Sequence, residues 1–322
     1  MQENRLSATG ISTLLWLTAT CALAEDYPAR PVRVVVPYGP GTGVDVVARL
    51  VSETLANKLG QSFVIDNRPG AAGTIGVATV AAAPATGYSI LVNASSHTSV
   101  PAIMRNLPYD AARDFAGVTL LGESPLVLVI ARSRGVRSVS ELIAAAKAKP
   151  GSISFGSAGV GTATYVSAEK FRRAAGFEAV HVPYKSTTDA LVDVMAGRID
   201  YTYTALVSAL PGVQDGRLAA LALGSRRSPV LPNVPTIVEA GVPNADYSLW
   251  FGMFVPAKTP RDIVHRLNRE TVQALATAEL KEKLAKIGVE PITLTPEQYD
   301  ALIRRELIEN ERLMKAAGIK PE

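Results

Sequence analysis

VRVVVPYGPGTGVD, residues 32–45, runs from an apolar segment through a glycine-rich turn into a segment with helical periodicity. Val44, Val47 and Leu55 recur at helical spacing after the turn, so the stretch predicts a buried strand, a turn and a helix. SISFGSAGVGTAT, residues 152–164, follows the same plan. Such a turn leaves backbone N–H groups at the positive end of a helix, which favours an anion. Because the chain has two turns of this kind, we predict that one small acid binds between them.

Apolar segments alternate with helical patterns along the chain, which indicates an α/β protein with a helix-covered sheet. The predicted strands are 32–36, 63–66, 89–92, 118–121, 126–130, 199–203 and 218–223. At 322 residues the chain exceeds the size at which one core keeps growing, so two domains are expected. We predict an inserted domain at 127–222 within a discontinuous domain formed by 25–126 and 223–322. Because the chain passes twice between the two domains, we predict a hinge there and a ligand cleft at the domain interface.

The charge balance indicates no nucleic-acid partner. The sequence has 33 Lys and Arg against 29 Asp and Glu, a net charge of +4, without a dense basic run. A diffuse excess of this size does not make the basic patch that nucleic acid needs.

The N-terminus has the pattern of a secretory signal at residues 1–24. Arg5 precedes an apolar stretch, 11–24, that ends in an A-x-A cleavage site before Glu25. The stretch is shorter than the roughly 20 residues of a bilayer span, so we expect export to the periplasm and no membrane insertion of the mature chain. The only cysteine, Cys21, lies within this signal, and the 18–20 segment before it lacks the aliphatic residue expected for lipidation. The mature chain therefore has no thiol for a disulfide, a nucleophile or a metal.

Nucleotide cofactors and metals are disfavoured by the residues around the glycines. Val46 stands where a dinucleotide fingerprint has its third glycine in the first turn, and Thr164 stands there in the second. Neither turn has the Gly-Lys-Ser/Thr of a phosphate-binding loop, and no clustered His, Asp or Glu spacing marks a metal site. We expect no cofactor and no metal.

An exported hydrolase or lyase that acts on a small acid is an alternative, with Ser157 or Tyr184 as the reactive group. FGSAG lacks the first glycine of the nucleophile elbow, and a hydrolase also needs a base. The three histidines, His97, His181 and His265, lie in different segments. A contact between His181 and Ser157 would favour the enzyme.

Seven ordered segments carry a resemblance to a known family: YPARPVRVVVPYGPGTGVDVVARL, IDNRPGAAGTIG, LPYDAARDFAGV, FGSAGVGTATY, HVPYKSTTDAL, SPVLPNVPTIVEAG and LWFGMFVPAKTP. The chain resembles the periplasmic solute receptors of tripartite tricarboxylate transporters, often called Bug proteins, over nearly all of its predicted mature length. The resemblance implies the two-domain, Venus-flytrap fold of type II periplasmic binding proteins, with mixed sheets covered by helices.

The resemblance also implies that a ligand carboxylate is held between the two glycine turns by N–H groups, hydroxyls and ordered water. The matching ligand-binding positions are Tyr38, Gly41, Thr42, Asp45, Ser95, Ser96, Ser157, Ala158, Gly161, Thr162, Tyr184, Lys185 and Thr204. Asp45 could instead complement the dipole of the helix that it begins. Trp250 and Phe251 could wall the cleft. The chain departs from the common family residues at Thr42, at Ser186-Thr187 and at Thr204, so the ligand cannot be named by analogy.

The function that the resemblance implies is capture of a small carboxylate, an organic acid or an amino acid, and its delivery to the membrane permease subunits of a tripartite transporter. We expect the receptor to act as a monomer. A receptor that signals through a sensor domain is a further alternative that the sequence does not separate from transport.

Overall fold

The computed structural model describes residues 27–316 and 318–319. The predicted signal at 1–24, with Cys21, lies outside these residues. Nine strands form one mixed sheet, with helices packed against it. In chain order the strands are β1 (Val32–Val36), β2 (Phe63–Asn67), β3 (Ser89–Ala94), β4 (Phe115–Ala131), β5 (Ser154–Ser157), β6 (Val180–Pro183), β7 (Tyr201–Ala205), β8 (Leu218–Leu223) and β9 (Ser248–Pro256). The helices are α1 (Gly43–Leu59), α2 (Thr74–Ala81), α3 (Ser96–Ser99), α4 (Val139–Ala148), α5 (Ala163–Ala175), α6 (Thr187–Met195), α7 (Leu206–Gln214), α8 (Arg261–Ala276), α9 (Ala278–Lys286) and α10 (Pro296–Ala316).

The long strand β4 joins two groups of strands. Residues 115–125 of β4 pair with β9, which continues to β3, β1 and β2. Residues 126–131 pair with β7 on one side and β8 on the other, and β7 continues to β5 and β6. Strands β1, β2 and β3 run parallel, as do β5, β6 and β7, whereas β4 pairs antiparallel throughout.

The prediction of separate strands at 118–121 and 126–130 was wrong, because both belong to β4. The intervening GESP sequence, 122–125, resembles a turn. The structure keeps it extended through irregular pairing with β9, with register shifts on either side of Leu120 and a φ of +153° at Gly122. Pro125 is tolerated because it pairs with Ser248, the first residue of β9, where a missing N–H costs little.

The predicted burial of 126–130 on both faces is confirmed. Leu126, Val127, Leu128 and Val129 have no exposed surface, and Ile130 is 1% exposed. A continuous apolar run is typical of a strand covered on both sides.

Both glycine turns fold as predicted, into a strand, a turn and a helix, and the structure adds a cap to each helix. Thr42 and Thr162 are the N-caps of α1 and α5, and Gly60 and Gly176 end these helices in the left-handed conformation. Ser186 is the N-cap of α6, and its hydroxyl oxygen accepts a hydrogen bond from the N–H of Thr188. Among the described residues no helix is both long enough and apolar enough to cross a membrane.

Candidate functional site

The two glycine turns meet at one cavity. Each turn follows the C-terminal end of a parallel strand, β1 or β5, which is where open α/β sheets place their ligands. The cavity has a volume of about 50 Å³, room for a few water molecules. It is lined by Tyr38, Thr42, Gly43, Val44, Ala94, Ser96, Leu126, Ala158, Thr162, Ala163, Thr164, Thr187, Ala205, Leu249 and Phe251.

Helix α1 presents free N–H groups to this cavity. The hydroxyl oxygen of Thr42 accepts a hydrogen bond from the N–H of Asp45 and so satisfies one of the first N–H groups of the helix. The N–H groups of Gly43 and Val44 come earlier in the helix and have no acceptor among the described residues. Both residues line the cavity.

Helix α5 repeats this arrangement from the second turn. Thr162 accepts from the N–H of Tyr165, while the N–H groups of Ala163 and Thr164 have no acceptor in the described part of the chain. Both of these residues line the cavity, and none of the lining residues carries a charge. The site therefore favours an anion through N–H groups and two positive helix ends, without a lysine or arginine.

The hydroxyl protons of the two cap threonines are already used within their turns. Thr42 donates to the carbonyl oxygen of Gly39 at 2.9 Å, and Thr162 donates to that of Gly159 at 2.7 Å. These hydroxyls shape the turns and expose the neighbouring N–H groups, and their protons are not free for a ligand.

Tyr38 and Ser96 form a second polar element of the cavity wall. Their hydroxyl oxygens lie 2.6 Å apart, so one hydroxyl donates to the other. Burial raises the pKa of Tyr38 to about 12, with the hydrogen bond to Ser96 acting in the opposite direction. Tyr38 is therefore protonated at neutral pH, and its hydroxyl also lies 3.4 Å from the carbonyl oxygen of Ala72, to which it can donate.

Asp45 does not line the cavity, and its carboxylate is fully engaged by the protein. One oxygen accepts from the N–H of Gly41 and from Nε of Arg49, each at 2.9 Å, and the other accepts from Nδ2 of Asn67 at 2.9 Å. Burial favours the neutral acid, but the bonds from Arg49, Asn67 and Gly41 outweigh it and hold the pKa of Asp45 below its usual value. Asp45 therefore fixes the first turn, and the N–H of Gly41 is bound to it.

Ser157 contacts His181, at 2.7 Å between Oγ and Nε2. This is the contact that an enzyme would need. However, Ser157 has no exposed surface, does not line the cavity, and its Oγ accepts from the N–H of Gly159 at 3.0 Å. Burial lowers the pKa of His181 to about 4, against a smaller opposing effect of Glu169, so the imidazole is neutral at pH 7.

Several other predicted positions lie beside the cavity or away from it. Ser95 and Thr204 are buried but absent from the lining. Tyr184 donates to a carboxylate oxygen of Asp193 at 2.6 Å, and the neighbouring Lys185 is exposed.

Gly161 packs against α3 and not against the cavity. It has a φ of +84°, and a Cβ on it would lie 3.0 Å from the Cα of Val100. The hydroxyl of Ser99 donates to the carbonyl oxygen of Gly161 at 2.7 Å. Of the predicted set, the cavity therefore brings together Tyr38, Thr42, Ser96, Ala158 and Thr162.

Sequence reasoning missed part of the cavity wall. Thr187 comes from the first turn of α6, and Leu126 and Leu249 come from β4 and β9. Phe251 lines the cavity as the sequence suggested, whereas Trp250 points elsewhere and donates to Glu306. The available signal for Thr187 was the Ser-x-x-Asp spacing at 186–189, which is typical of a helix N-terminus, and a helix N-terminus is suited to bind an anion.

The mixed α/β sheet, with an uncharged cavity between two strand–turn–helix units, defines the class of α/β periplasmic binding proteins. The sequence profile of the tripartite tricarboxylate transporter family receptors matches residues 47–319, and the chain belongs to this family. The resemblance and the fold class deduced from the sequence are thus confirmed.

Individual relatives agree with this assignment. The chain is 35% identical to Protein BugT of Bordetella pertussis over 300 residues, which covers 92% of each chain. Rpa4515 of R. palustris, solved with adipate, is 35% identical with a TM-score of 0.89, over 92% of this chain and 100% of that one. MatC of Rhodopseudomonas palustris, solved with bound malate, is 31% identical with a TM-score of 0.83, over 89% of this chain and 99% of that one.

Proposed function

We propose that the protein is an exported, monomeric receptor that binds a small carboxylate in this cavity and delivers it to the permease of a tripartite tricarboxylate transporter. The observation that carries the proposal is the set of free N–H groups, two from α1 and two from α5, that face an uncharged cavity. Adipate and malate, which the two solved relatives hold, are both carboxylates, and this supports the same ligand class here.

The physical chemistry of the cavity suits a carboxylate. Hydrogen bonds from N–H groups to an ionised oxygen are about twice as strong as those between neutral groups, and a desolvated site strengthens them further. Donors that are fixed at helix ends need no reorganisation to receive the ligand. An arginine is therefore not required to hold the charge.

Binding is tested by calorimetric titration of the mature protein with a panel of mono-, di- and tricarboxylates and their neutral amides. We expect at least one acid to bind and to raise the melting temperature, because a ligand of the folded state stabilises it, while the amides have no effect. Recovery of every acid unchanged after incubation, followed by NMR, is expected of a receptor. Amides that bind as well as the acids would contradict the proposal.

A proline substitution removes a single N–H donor from the proposed cradle. Ala163→Pro is compatible with helix α5 because Ala163 is its first residue and Thr162 before it is extended. Loss of one charge-assisted bond, together with the intruding ring, should weaken the tightest acid about ten- to hundredfold. Ala278→Pro is the matched control, since it also follows an extended threonine cap, on the exposed start of α9. Equal affinities of the two variants would count against the cradle.

A hydrolase is the second candidate, because His181 lies within hydrogen-bonding distance of Ser157. The Ser157 hydroxyl is closed off from the cavity, and an attacking oxygen needs room for a substrate beside it. This burial supports a receptor over an enzyme. Turnover of any acid in the NMR experiment would reverse the preference.

We also propose that the two groups of strands are the two domains, 25–126 with 223–322 and the inserted 127–222, that close on the ligand. The change of strand partners at Leu126 within β4 supports a boundary there. Closure predicts a smaller radius of gyration by X-ray scattering when a saturating acid is present. Superimposable scattering curves would contradict it.

A further inference from the structure

A groove lies beside strand β8, at the end of β4 that is remote from the cavity. It has a volume of about 620 Å³ and is lined by Arg132, Gly135, Val136, Arg137, Val213, Leu218, Ala219, Ala220 and Val234. We call it the β8 groove. Leu126 of β4 lines the cavity, whereas Ala131 of the same strand pairs with Leu218 of the groove. The two sites are therefore about 17 Å apart along β4.

Strand β8 is an edge of the sheet, and the groove opens along its free side. It pairs with β4 on one side, and on the other side only Leu223 forms a bridge, to Thr236, among the described residues. Leu218 and Ala220 pack against one apolar cluster and Ala219 packs against another, so they lie on opposite faces of the strand. A groove that is lined by all three residues follows the edge of the strand between its two faces.

The backbone along this edge has unused hydrogen-bonding groups. The carbonyl oxygen of Arg217 accepts from the N–H of Arg132 at 2.9 Å, so the backbone groups of Arg217 point toward the chain that continues β4. This direction alternates from residue to residue in an antiparallel pair, so the N–H and C=O groups of Leu218 and Ala220 point away from β4. These groups have no backbone partner in the part of the chain that the structure describes. An extended peptide is the ligand that pairs with such an edge.

The charge of the groove indicates acidic side chains on that peptide. Arg132 and Arg137 are exposed, and their guanidinium groups have no ion pair among the described residues. The carboxylates that contact this loop are already engaged. Asp200 pairs with Arg134 at 2.5 Å. Glu141 accepts from the backbone N–H of Arg137 at 2.8 Å. The residues that line the groove include no acid, so its charge is positive over an apolar floor.

We infer that the β8 groove binds an extended, acidic segment of a partner protein, which adds a strand to β8 and places its carboxylates against Arg132 and Arg137. Alternate side chains of a strand lie on the same face, so apolar residues of that segment pack on Val136, Val213 and Val234. This inference goes beyond the proposed function, because it does not depend on the acid that the cavity binds.

The test uses a synthetic peptide in place of the partner. A fluorescein-labelled peptide in which glutamate alternates with valine is titrated with the mature protein, and binding is followed by fluorescence anisotropy at low and at high salt. A second peptide with lysine in place of glutamate tests the charge. A third, with glutamate retained and every central residue N-methylated, tests strand pairing because it has no N–H donors there.

Variants of the protein test the same two features from the other side. Arg132→Gln combined with Arg137→Gln removes both free guanidinium groups. The matched control combines Arg113→Gln with Arg312→Gln, which changes the net charge equally at exposed positions outside the groove. Ala220→Pro removes an outward N–H, which an edge strand tolerates, and Ala220→Ser keeps it.

We expect the glutamate peptide to bind, and to bind more weakly at high salt because salt screens exposed charges, while the lysine and N-methylated peptides do not bind. Loss of both arginines should weaken binding about two- to thirtyfold, the range of two exposed ion pairs. The arginine control and Ala220→Ser should keep the wild-type affinity, and Ala220→Pro should lose binding.

Three results would each overturn the inference: a glutamate peptide that does not bind, a lysine or N-methylated peptide that binds equally well, or an unchanged affinity after loss of both arginines. The N-methylated peptide decides the strand pairing if Ala220→Pro does not fold. Dimers in sedimentation that Ala220→Pro disrupts would assign the edge to a second copy of this chain, and they would overturn the inference as well.

Discussion

Replacing Asp45 by Asn separates two roles that the sequence left open for this residue, ligand contact and support of the first glycine turn. The Asp45 side chain is 2% exposed, and its oxygens accept from Gly41, Arg49 and Asn67. Asn is the same size, but its NH2 group replaces one carboxylate oxygen. This group cannot accept the hydrogen bonds that two donors made to that oxygen. The negative charge and part of the hydrogen bonds are therefore lost at nearly constant packing.

The expected cost follows from these contacts. Hydrogen bonds to a charged group contribute about 1.5–3 kcal/mol each, but the bond from Arg49 is discounted because half of that side chain is exposed. We expect Asp45→Asn to lower the free energy of unfolding by about 2–3 kcal/mol, or the melting temperature by roughly 5–10 °C. Asp215→Asn, which removes an exposed partner of Arg217, is the control and should change stability little.

The pH dependence gives a second readout of the same residue. Because the pKa of Asp45 is lowered in the folded protein, its contribution is fully present above the unfolded value near 3.8 and is lost as the pH falls through the folded value. Urea unfolding at pH 7 and at pH 3 should therefore show a smaller difference between wild type and Asp45→Asn at the lower pH. The reasoning would be refuted by a variant of wild-type stability that binds the ligand more weakly, since that result would make Asp45 a ligand contact.

Two further changes test the packing around the cavity and the neutral state of a buried histidine. Gly43→Ala places a Cβ 2.6 Å from the Cβ of Ala205, so overpacking should lower the free energy of unfolding by about 1–3 kcal/mol. Urea unfolding of the variant at the wild-type midpoint would contradict this close contact. Burial lowers the pKa of His181 to about 4, so the unfolded chain takes up its proton first, and stability is lost as the pH falls from about 6.5 to 4. His181→Gln should flatten this part of the stability profile more than the exposed His265→Gln; equal slopes would argue against a neutral buried imidazole.

The sequence by itself determined the two strand–turn–helix units, and their free N–H groups led to the prediction of an anion as ligand. These features depend on residues close together in the chain, through spacing and glycine conformation. The seven segments that resemble the family determined the fold class for the same reason. Each of them is a pattern of residues that lie close together in the chain.

Only the tertiary structure decided which groups reach the ligand. The Ser157 hydroxyl contacts His181, which lies 24 positions further along the chain. The Asp45 carboxylate accepts a hydrogen bond from Asn67, which lies 22 positions further along. Phe251 and Thr187 enter the wall because β9 and α6 meet the first turn there. A side chain's free donors depend on which acceptors the fold brings within reach, and those acceptors come from segments that no local pattern connects.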